Sequence, residues 1–279
     1  MPRRFFQNLL FIPLALSLSG CANLLFYPDR AMRLTPDVLG LKYEDVNLTA
    51  SDGTRLHGWF LLADGEPRGT VFFLHGNAQN ISTHIRSVAW LPETGYQVFL
   101  LDYRGYGLSE GSPGLPEVLT DVAAGFQWLL NEPRVTTKNL FVLGQSLGAN
   151  LAAYFAGANP EVRHRLSAMV LDAPFASYRE ITREKLSQLL ITWPLQYPLS
   201  WLMPDDYSPI KNIAELSPLP LLIICSETDE IVPAHHSIAL FKAASEPKSL
   251  WLTQGFHIAT FGQEKNRRRV LSFLKEHER

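Results

Sequence analysis

Short apolar runs alternate with longer helix-length segments along most of this chain. Two β-rich runs, at 42–48 and 55–62, come first and are separated by the turn residues Ser51-Asp52-Gly53. Later runs are nearly continuous in apolar residues, which is typical of strands buried on both faces of a parallel sheet; they lie at 70–74, 97–102, 140–143, 168–171 and 219–225. Segments at about 80–91, 115–131, 147–157 and 234–245 separate them with helical spacing. This alternation predicts βαβ units and a doubly wound α/β sheet.

One connection is longer than a crossover between parallel strands needs. About 45 residues follow the run that ends at Leu171, and this stretch is aromatic and punctuated by prolines. We predict an insertion at about 176–212. It is either a lid over a site or a hydrophobic brace packed on the sheet.

The first twenty residues have the pattern of an export signal. Arg3-Arg4 precedes an apolar run at 9–18 that is too short to cross a bilayer and ends in small residues. Leu18-Ser19-Gly20-Cys21 resembles the lipobox of bacterial lipoproteins, which implies cleavage after residue 20 and acyl chains, palmitate among them, on Cys21. Ala22 after the cysteine implies the outer membrane, facing the periplasm. A plain secretory signal is the alternative, and the export route stays open.

The overall composition is that of an ordinary globular protein. The chain is 46% hydrophobic and 19% charged, which excludes collagen-like and wholly disordered classes. Its 25 Lys+Arg against 27 Asp+Glu give a net charge of −2, so nothing indicates a nucleic-acid partner. Two cysteines, Cys21 and Cys225, cannot form a disulfide scaffold or a metal cluster unaided. We therefore expect one domain over 21–279.

A candidate nucleophile follows the apolar run at 140–143. There the sequence Gly144-Gln145-Ser146-Leu147-Gly148 leads into a helical stretch. G-x-S-x-G between a strand and a helix predicts a sharp turn that lifts the Ser146 hydroxyl above the sheet, with glycines where side chains would collide.

A serine nucleophile needs a base, and the base needs an orienting carboxylate. Asp229 follows the run at 219–225, and His257 follows a short β-like piece at 249–252. Their order and their places after strands make them the first candidates. The alternatives for the acid are Asp172, Glu227 and Glu230, and for the base they are His235 and His236.

Two N–H donors are also needed where a carbonyl oxygen becomes negative. Leu147, directly after the nucleophile, supplies the first. The loop Leu74-His75-Gly76-Asn77-Ala78 supplies the second, with Asn77 preferred to Ala78 and His75 interpreted as organising the loop.

Six segments of the chain resemble the α/β-hydrolase superfamily, and in particular its serine aminopeptidase-like and prolyl-oligopeptidase-like subgroups. In chain order they are HGNA at 75–78, DYRGYGLSEG at 102–111, GQSLG at 144–148, DAPF at 172–175, SETDEIVP at 226–233 and GFH at 255–257. The resemblance implies a mostly parallel eight-stranded sheet flanked by helices. It assigns Ser146 as nucleophile, Asp229 as acid, His257 as base, and Asn77 and Leu147 as oxyanion donors. One departure is Phe256, which stands between the usual Gly-His pair.

The expected function is a serine hydrolase that cleaves a carboxylic ester or thioester through an acyl-enzyme, without metal or organic cofactor. The aromatic insertion, with Trp193, Tyr197, Trp201 and Met203, predicts an apolar acyl group under a lid. A peptidase or amidase of the same fold, and a non-catalytic envelope scaffold, are the alternatives. The expected partners are an acyl substrate and the membrane reached through Cys21.

Overall fold

A computed structural model describes residues 25–135 and 138–279. The predicted signal peptide and Cys21 lie outside the described residues, so their assignment stays a prediction. The strands, in chain order, are β1 (Tyr27–Pro28), β2 (Tyr43–Thr49), β3 (Arg55–Leu61), β4 (Gly69–Leu74), β5 (Ala78–Gln79), β6 (Tyr96–Asp102), β7 (Leu140–Gln145), β8 (Ala168–Asp172), β9 (Leu221–Ser226) and β10 (Lys248–Thr253). The helices are α1 (Ile81–His84), α2 (Glu117–Asn131), α3 (Leu147–Ala158), α4 (Pro160–Arg165), α5 (Tyr178–Ser187), α6 (Gln196–Ser200), α7 (Ala234–Ala243) and α8 (Glu264–Glu276).

Eight strands form one sheet in the order β10-β9-β8-β7-β4-β6-β3-β2. Only β3 runs against its neighbours, since it pairs antiparallel with both β2 and β6 while the other pairs are parallel. The predicted α/β-hydrolase fold, with its mostly parallel eight-stranded sheet, is confirmed. Seven strands therefore end at the same side of the sheet, which we call the carboxyl edge.

Both faces of the sheet are buried, which explains the continuous apolar runs. In β4, Phe72 and Leu74 pack into one hydrophobic cluster, while Val71 and Phe73 pack into the cluster on the opposite face. Full burial of each such side chain stabilises the fold by about 1.5–3 kcal/mol. The core thus fixes the strands whose ends carry the candidate site.

Three of the four predicted helices form close to the predicted bounds, as α2, α3 and α7. The segment at 80–91 forms only the single turn α1, followed by a 3-10 turn at Ile85–Ser87. Asn80 caps α1 by accepting the Ser82 N–H, but the Thr83 hydroxyl donates to the Asn80 carbonyl, and β-branched residues recur in this stretch. These local preferences outweigh the helical spacing. Helix α8, which buries Val270 and Leu274, is an addition to the predicted elements.

The predicted insertion at 176–212 lies between β8 and β9. It consists of α5, α6 and short 3-10 turns, with prolines at the starts of several turns. Its role as a lid stays a prediction. In the described part of the chain, no helix combines the length and the apolar character needed to span a bilayer.

Candidate active site

The predicted catalytic and oxyanion residues lie at the carboxyl edge. Asn77 follows β4, Ser146 follows β7, Asp229 follows β9 and His257 follows β10. Neighbouring parallel strands bring their carboxyl ends together, and ligands of open α/β sheets bind there. The fold therefore gathers residues that are up to 180 positions apart in the sequence.

Ser146 occupies a strained turn between β7 and α3. Its φ of 52° and ψ of −117° lie in a region that residues with side chains avoid. The two glycines of the motif make this turn possible because they let neighbouring backbone come closer than a Cβ would allow. A Cβ on Gly144 would lie 2.5 Å from the Ala149 Cα, and one on Gly148 would lie 2.0 Å from the Leu74 carbonyl oxygen. The turn is thus pressed against the end of β4.

The start of α3 carries the predicted first oxyanion donor, the N–H of Leu147. Leu147 is the first residue of this helix, and the first N–H groups of a helix have no partner within it. The helix dipole adds positive potential at the same place. The Ser146 N–H donates to the Asp172 carbonyl at 2.8 Å, which fixes the turn on the neighbouring strand. The Leu147 N–H is therefore held beside the hydroxyl of Ser146.

The loop after β4 lies against this turn. A Cβ on Gly76 would be 3.7 Å from the Ser146 Cβ. The next residue, Asn77, accepts the Tyr27 N–H on its side-chain oxygen at 2.9 Å and the Tyr106 hydroxyl on its carbonyl at 2.7 Å. These two bonds hold the loop and the side chain of Asn77 in place, and the backbone N–H of Asn77 is the group that we expect to bind an oxyanion.

His75 sits beneath this loop and is fully buried. Its ring stacks on Tyr103 with centroids 4.4 Å apart, and its Nδ1 lies 2.7 Å from the Gly76 carbonyl. Burial, together with the nearby ring of His84, lowers the pKa of His75 well below its ordinary value. A neutral, stacked imidazole suits the predicted loop-organising role.

Asp229 and His257 are in direct contact. The Asp229 Oδ2 lies 2.7 Å from the His257 Nδ1, and its Oδ1 accepts the backbone N–H groups of Ile231 and Val232 at 2.8 Å each. Burial favours the protonated carboxyl, but the His257 contact and the two backbone donors outweigh it and lower the pKa of Asp229. The carboxylate therefore stays charged and holds the imidazole by its Nδ1, so that Nε2 is the ring nitrogen on the other side from this contact.

The alternative acids contact other groups. Glu230 accepts the backbone N–H of His257 at 3.2 Å, and Glu227 accepts the Gln254 amide at 2.6 Å. Asp172 accepts the Gln145 amide and the Thr260 hydroxyl, each at 2.8 Å. Asp229 is thus the candidate whose carboxylate meets the imidazole.

The alternative bases, His235 and His236, belong to a separate cluster. Their Nε2 atoms lie 2.9 and 3.2 Å from the two carboxylate oxygens of Glu184 on α5. The three residues have the spacing of metal ligands. However, the His236 Nδ1 accepts the Ala176 N–H at 3.4 Å, so its Nε2 carries the proton that is donated to Glu184. The cluster ties α5 to the start of α7.

A buried network around Asp172 was not apparent as such from the sequence. Gln145, next to Ser146, donates to Asp172 and also approaches the carbonyl of Ile258, next to His257, at 3.4 Å. Thr260 donates to the same carboxyl. Burial is the main cause that raises the pKa of Asp172 to about 6. The network holds the His257 loop against the Ser146 turn. In the sequence, the feature that pointed to this network was an aspartate, Asp172, at the end of a predicted strand.

The structure brings Asp229 and His257 into contact, and the approach of Gln145 to the Ile258 carbonyl places the His257 loop beside the Ser146 turn. Within the described residues, no hydrogen bond joins the Ser146 hydroxyl to His257. In the absence of a substrate such bonds are often long, and they tighten when the substrate is bound.

Comparison with known proteins agrees with this fold. The sequence model of the family described as serine aminopeptidase, S33, matches residues 65–207. YfhR from Salmonella typhi is 36% identical over 252 residues, covering 86% of this chain and 82% of that protein. The chain belongs to the α/β-hydrolase superfamily. Another relative of this α/β-hydrolase is the α/β hydrolase domain-containing protein WAV2 from Arabidopsis thaliana, which is 31% identical over 98% of this chain and 88% of its own length.

Solved structures share the architecture of this α/β-hydrolase. The Pyrococcus furiosus esterase Pf2001 superposes with a TM-score of 0.75 at 24% identity, and the alignment covers 91% of this chain and 99% of that one. At this identity the likeness establishes the fold alone. The reaction has to be argued from the site itself.

We expect Gly148→Ala to destabilise the protein, because its Cβ would collide with the backbone of Leu74 and His75. The free energy of unfolding should fall by about 1–3 kcal/mol or more, measured by denaturant titration. Gly262→Ala is the matched control, because a Cβ there meets nothing within 4 Å. Its stability should stay the same or rise by up to about 1 kcal/mol. Equal losses in both variants would contradict the close approach of the Ser146 turn to β4.

Proposed function

We propose that this α/β-hydrolase is a serine hydrolase that cleaves a carboxylic ester or thioester through an acyl-enzyme. The observation that carries the proposal is the 2.7 Å contact between Asp229 and His257 at the edge where Ser146 occupies its strained turn. Oriented carboxylate, imidazole and serine are the three parts of a nucleophilic triad.

In the proposed reaction, the Ser146 oxygen attacks the carbonyl carbon of the substrate while the His257 Nε2 takes the hydroxyl proton. Asp229 stabilises the imidazolium that forms. The carbonyl oxygen becomes negative and is bound by the N–H groups of Leu147 and Asn77. Each such donor contributes about 3–4 kcal/mol to transition-state stabilisation.

The tetrahedral intermediate then collapses. The bond to the leaving alcohol or thiol breaks, and that group receives the proton from the His257 Nε2. Water next attacks the acyl-enzyme, with His257 again accepting and returning a proton, which releases the acid and restores Ser146. No cofactor enters this cycle. The esterases among the structural neighbours carry names consistent with it.

The insertion changes the argument for an apolar acyl group. From Trp193, Tyr197, Trp201 and Met203 in the insertion, the sequence predicted an apolar acyl group under a lid. In the structure Met203 is buried in the core, while the three aromatic side chains are 59%, 53% and 64% exposed. They lie on the five-residue helix α6 and on the residues that flank it. The preference for an apolar acyl group is therefore proposed from these exposed rings rather than from an enclosed pocket.

We also propose that the protein is anchored in the bacterial envelope by acylation of Cys21, on the periplasmic face of the outer membrane. The lipobox and Ala22 support this placement. Several acyl chains on one residue give lasting attachment, because each buried CH₂ adds about 0.8 kcal/mol.

Peptide or amide hydrolysis is the second candidate, and the description of the matching family as serine aminopeptidases favours it.

A fluorophosphonate probe should label the wild-type protein, because it phosphonylates serines activated by an adjacent base. Ser146→Ala should abolish labelling. Ser245→Ala, which alters an exposed serine before the start of β10, at the opposite edge of the sheet, should leave it intact. Labelling that persists in Ser146→Ala would refute the nucleophile, and absence of labelling in the wild type would favour a non-catalytic scaffold.

The two buried carboxylates should differ sharply in their effect on hydrolysis of an activated ester. Asp229→Asn should lower kcat by about 10⁴-fold, because the imidazole loses its orienting charge. Asp172→Asn should cost less than about tenfold, or ~1.4 kcal/mol, because an amide can still accept from Thr260 and bond to Gln145. Steady-state kinetics on the paired variants measure both values. Comparable losses would make Asp172 a rival for the acid.

An ester and an anilide of the same acyl group separate the two candidate activities. We expect kcat/KM for the ester to exceed that for the anilide by more than a thousandfold, on the order of 4 kcal/mol. The same protein preparation, with Ser146→Ala as blank, serves both assays. Comparable values for the two substrates would favour the peptidase.

A further inference from the structure

The large exposed apolar side chains are unevenly distributed over the surface. Of the 15 that the described residues contain, 12 lie on segments at the carboxyl edge or on the insertion that starts there. Eight of them fall within 189–202, and the other four are Tyr27, Leu108, Ile231 and Phe256. The remaining three are Val38 and Leu39, which precede the start of β2 at the opposite edge, and Leu252 within β10. Such concentration on one side marks an interaction surface.

The segment at 189–202 is held close to the candidate triad. Helix α5 leads into it, and its Lys185 donates to the carbonyl of Glu230, next to Asp229, at 3.3 Å. The cluster of Glu184 with His235 and His236 fixes α5 to the helix that follows the Asp229 loop. The Arg183 guanidinium lies 4.8 Å from the Tyr197 ring centroid, which ties the segment to α5.

We define the apolar patch as residues 189–202 with Ile231 and Phe256. Its most exposed members are Leu190, at 94%, and Ile191, at 83%. Phe256, at 76%, directly precedes His257. The patch therefore borders the entrance to the triad.

The N-terminal chain arrives at the same edge. Strand β1 pairs in parallel with β5, and the Tyr27 N–H donates to the side chain of Asn77 in the oxyanion loop. Cys21 precedes Leu25, the first described residue, by four positions, which span at most about 14 Å. An acyl anchor on Cys21 would thus hold the carboxyl edge, rather than the opposite one, against a bilayer.

We propose that the apolar patch docks on the surface of a lipid bilayer, with the Ser146–His257 site facing the lipid. Tryptophan and tyrosine are favoured at the interface between acyl chains and water, and the patch presents two tryptophans and a tyrosine among aliphatic side chains. The short tether and the location of the patch support a bilayer rather than a second copy of this chain. If the protein is the serine hydrolase proposed above, this placement makes the acyl esters of membrane lipids its substrate class.

Tryptophan quenching tests the docking without using activity. The full chain is reconstituted in vesicles of phosphatidylethanolamine and phosphatidylglycerol whose acyl chains carry bromine, which quenches tryptophan only at short range. Trp193 and Trp201 are two of the six tryptophans, so fluorescence should fall by up to about one third relative to unbrominated vesicles. Trp193→Phe combined with Trp201→Phe should remove this loss. Trp251→Phe, at a buried position, should retain it.

A second pair of variants tests the patch itself. Leu190→Ser with Ile191→Ser should reduce the quenching, while Val38→Ser with Leu39→Ser, the matched exposed pair at the opposite edge, should not. Ser146→Ala should be quenched like the wild type, so that failure of docking and failure of the proposed function are distinguishable.

Two results of the quenching experiment would overturn the proposal. One is a wild-type protein whose fluorescence is not quenched, and the other is quenching that the Trp193 and Trp201 changes leave unaltered. If the wild type is not quenched but self-associates, and the Leu190 and Ile191 changes abolish this self-association, the patch is an interface with a second copy of this chain. Mass spectrometry of the N-terminal peptide from the same preparation detects acylation of Cys21. An unmodified Cys21 would contradict the proposed lipid anchor.

Discussion

The close approach of the Ser146 turn to the end of β4 is the contact on which the candidate site depends. Gly148 lies against the Leu74 carbonyl without room for a Cβ, and Gly144 lies against α3 in the same way. This contact sets the position of the Ser146 hydroxyl. The loop that carries Asn77 lies against the same turn, since a Cβ on Gly76 would be 3.7 Å from the Ser146 Cβ. A site built on strand ends that are buried on both faces moves little, which suits groups that must be preorganised.

Three aspartates with buried side chains, one at the end of a strand, one in a loop and one on a helix, show how environment assigns different roles to the same side chain. Asp229 accepts two backbone N–H groups and the imidazole, so it remains charged despite burial. Asp172 is also buried but receives an amide and a hydroxyl, and burial raises its pKa to about 6. Asp121, on α2, instead pairs with the buried guanidinium of Arg104 in the loop after β6. One orients a base, one joins two loops and one supports the fold.

The surface around the site and the site itself follow one geometric plan. The parallel strands direct the catalytic candidates, the insertion and the N-terminal chain toward the same edge. Exposed apolar residues at that edge raise the free energy of the protein in water, because each keeps hydrophobic surface solvated. The lipid surface proposed above would remove this penalty.

The sequence by itself determined the fold class, since continuous apolar runs of strand length and segments with helical spacing are local patterns that need no tertiary information. It also identified Ser146, because G-x-S-x-G encodes a local turn, and it singled out Asp229 and His257 by their places after strands. Tertiary structure alone decided which carboxylate meets the imidazole, because Asp172 and Asp229 look alike in the sequence and differ only in what packs around them. It likewise shortened the helix expected at 80–91 and turned the rings of Trp193, Tyr197 and Trp201 outward. The physical reason is that burial depends on contacts between segments that are distant in the sequence. The apolar character of a residue therefore does not show whether another part of the chain will pack against it.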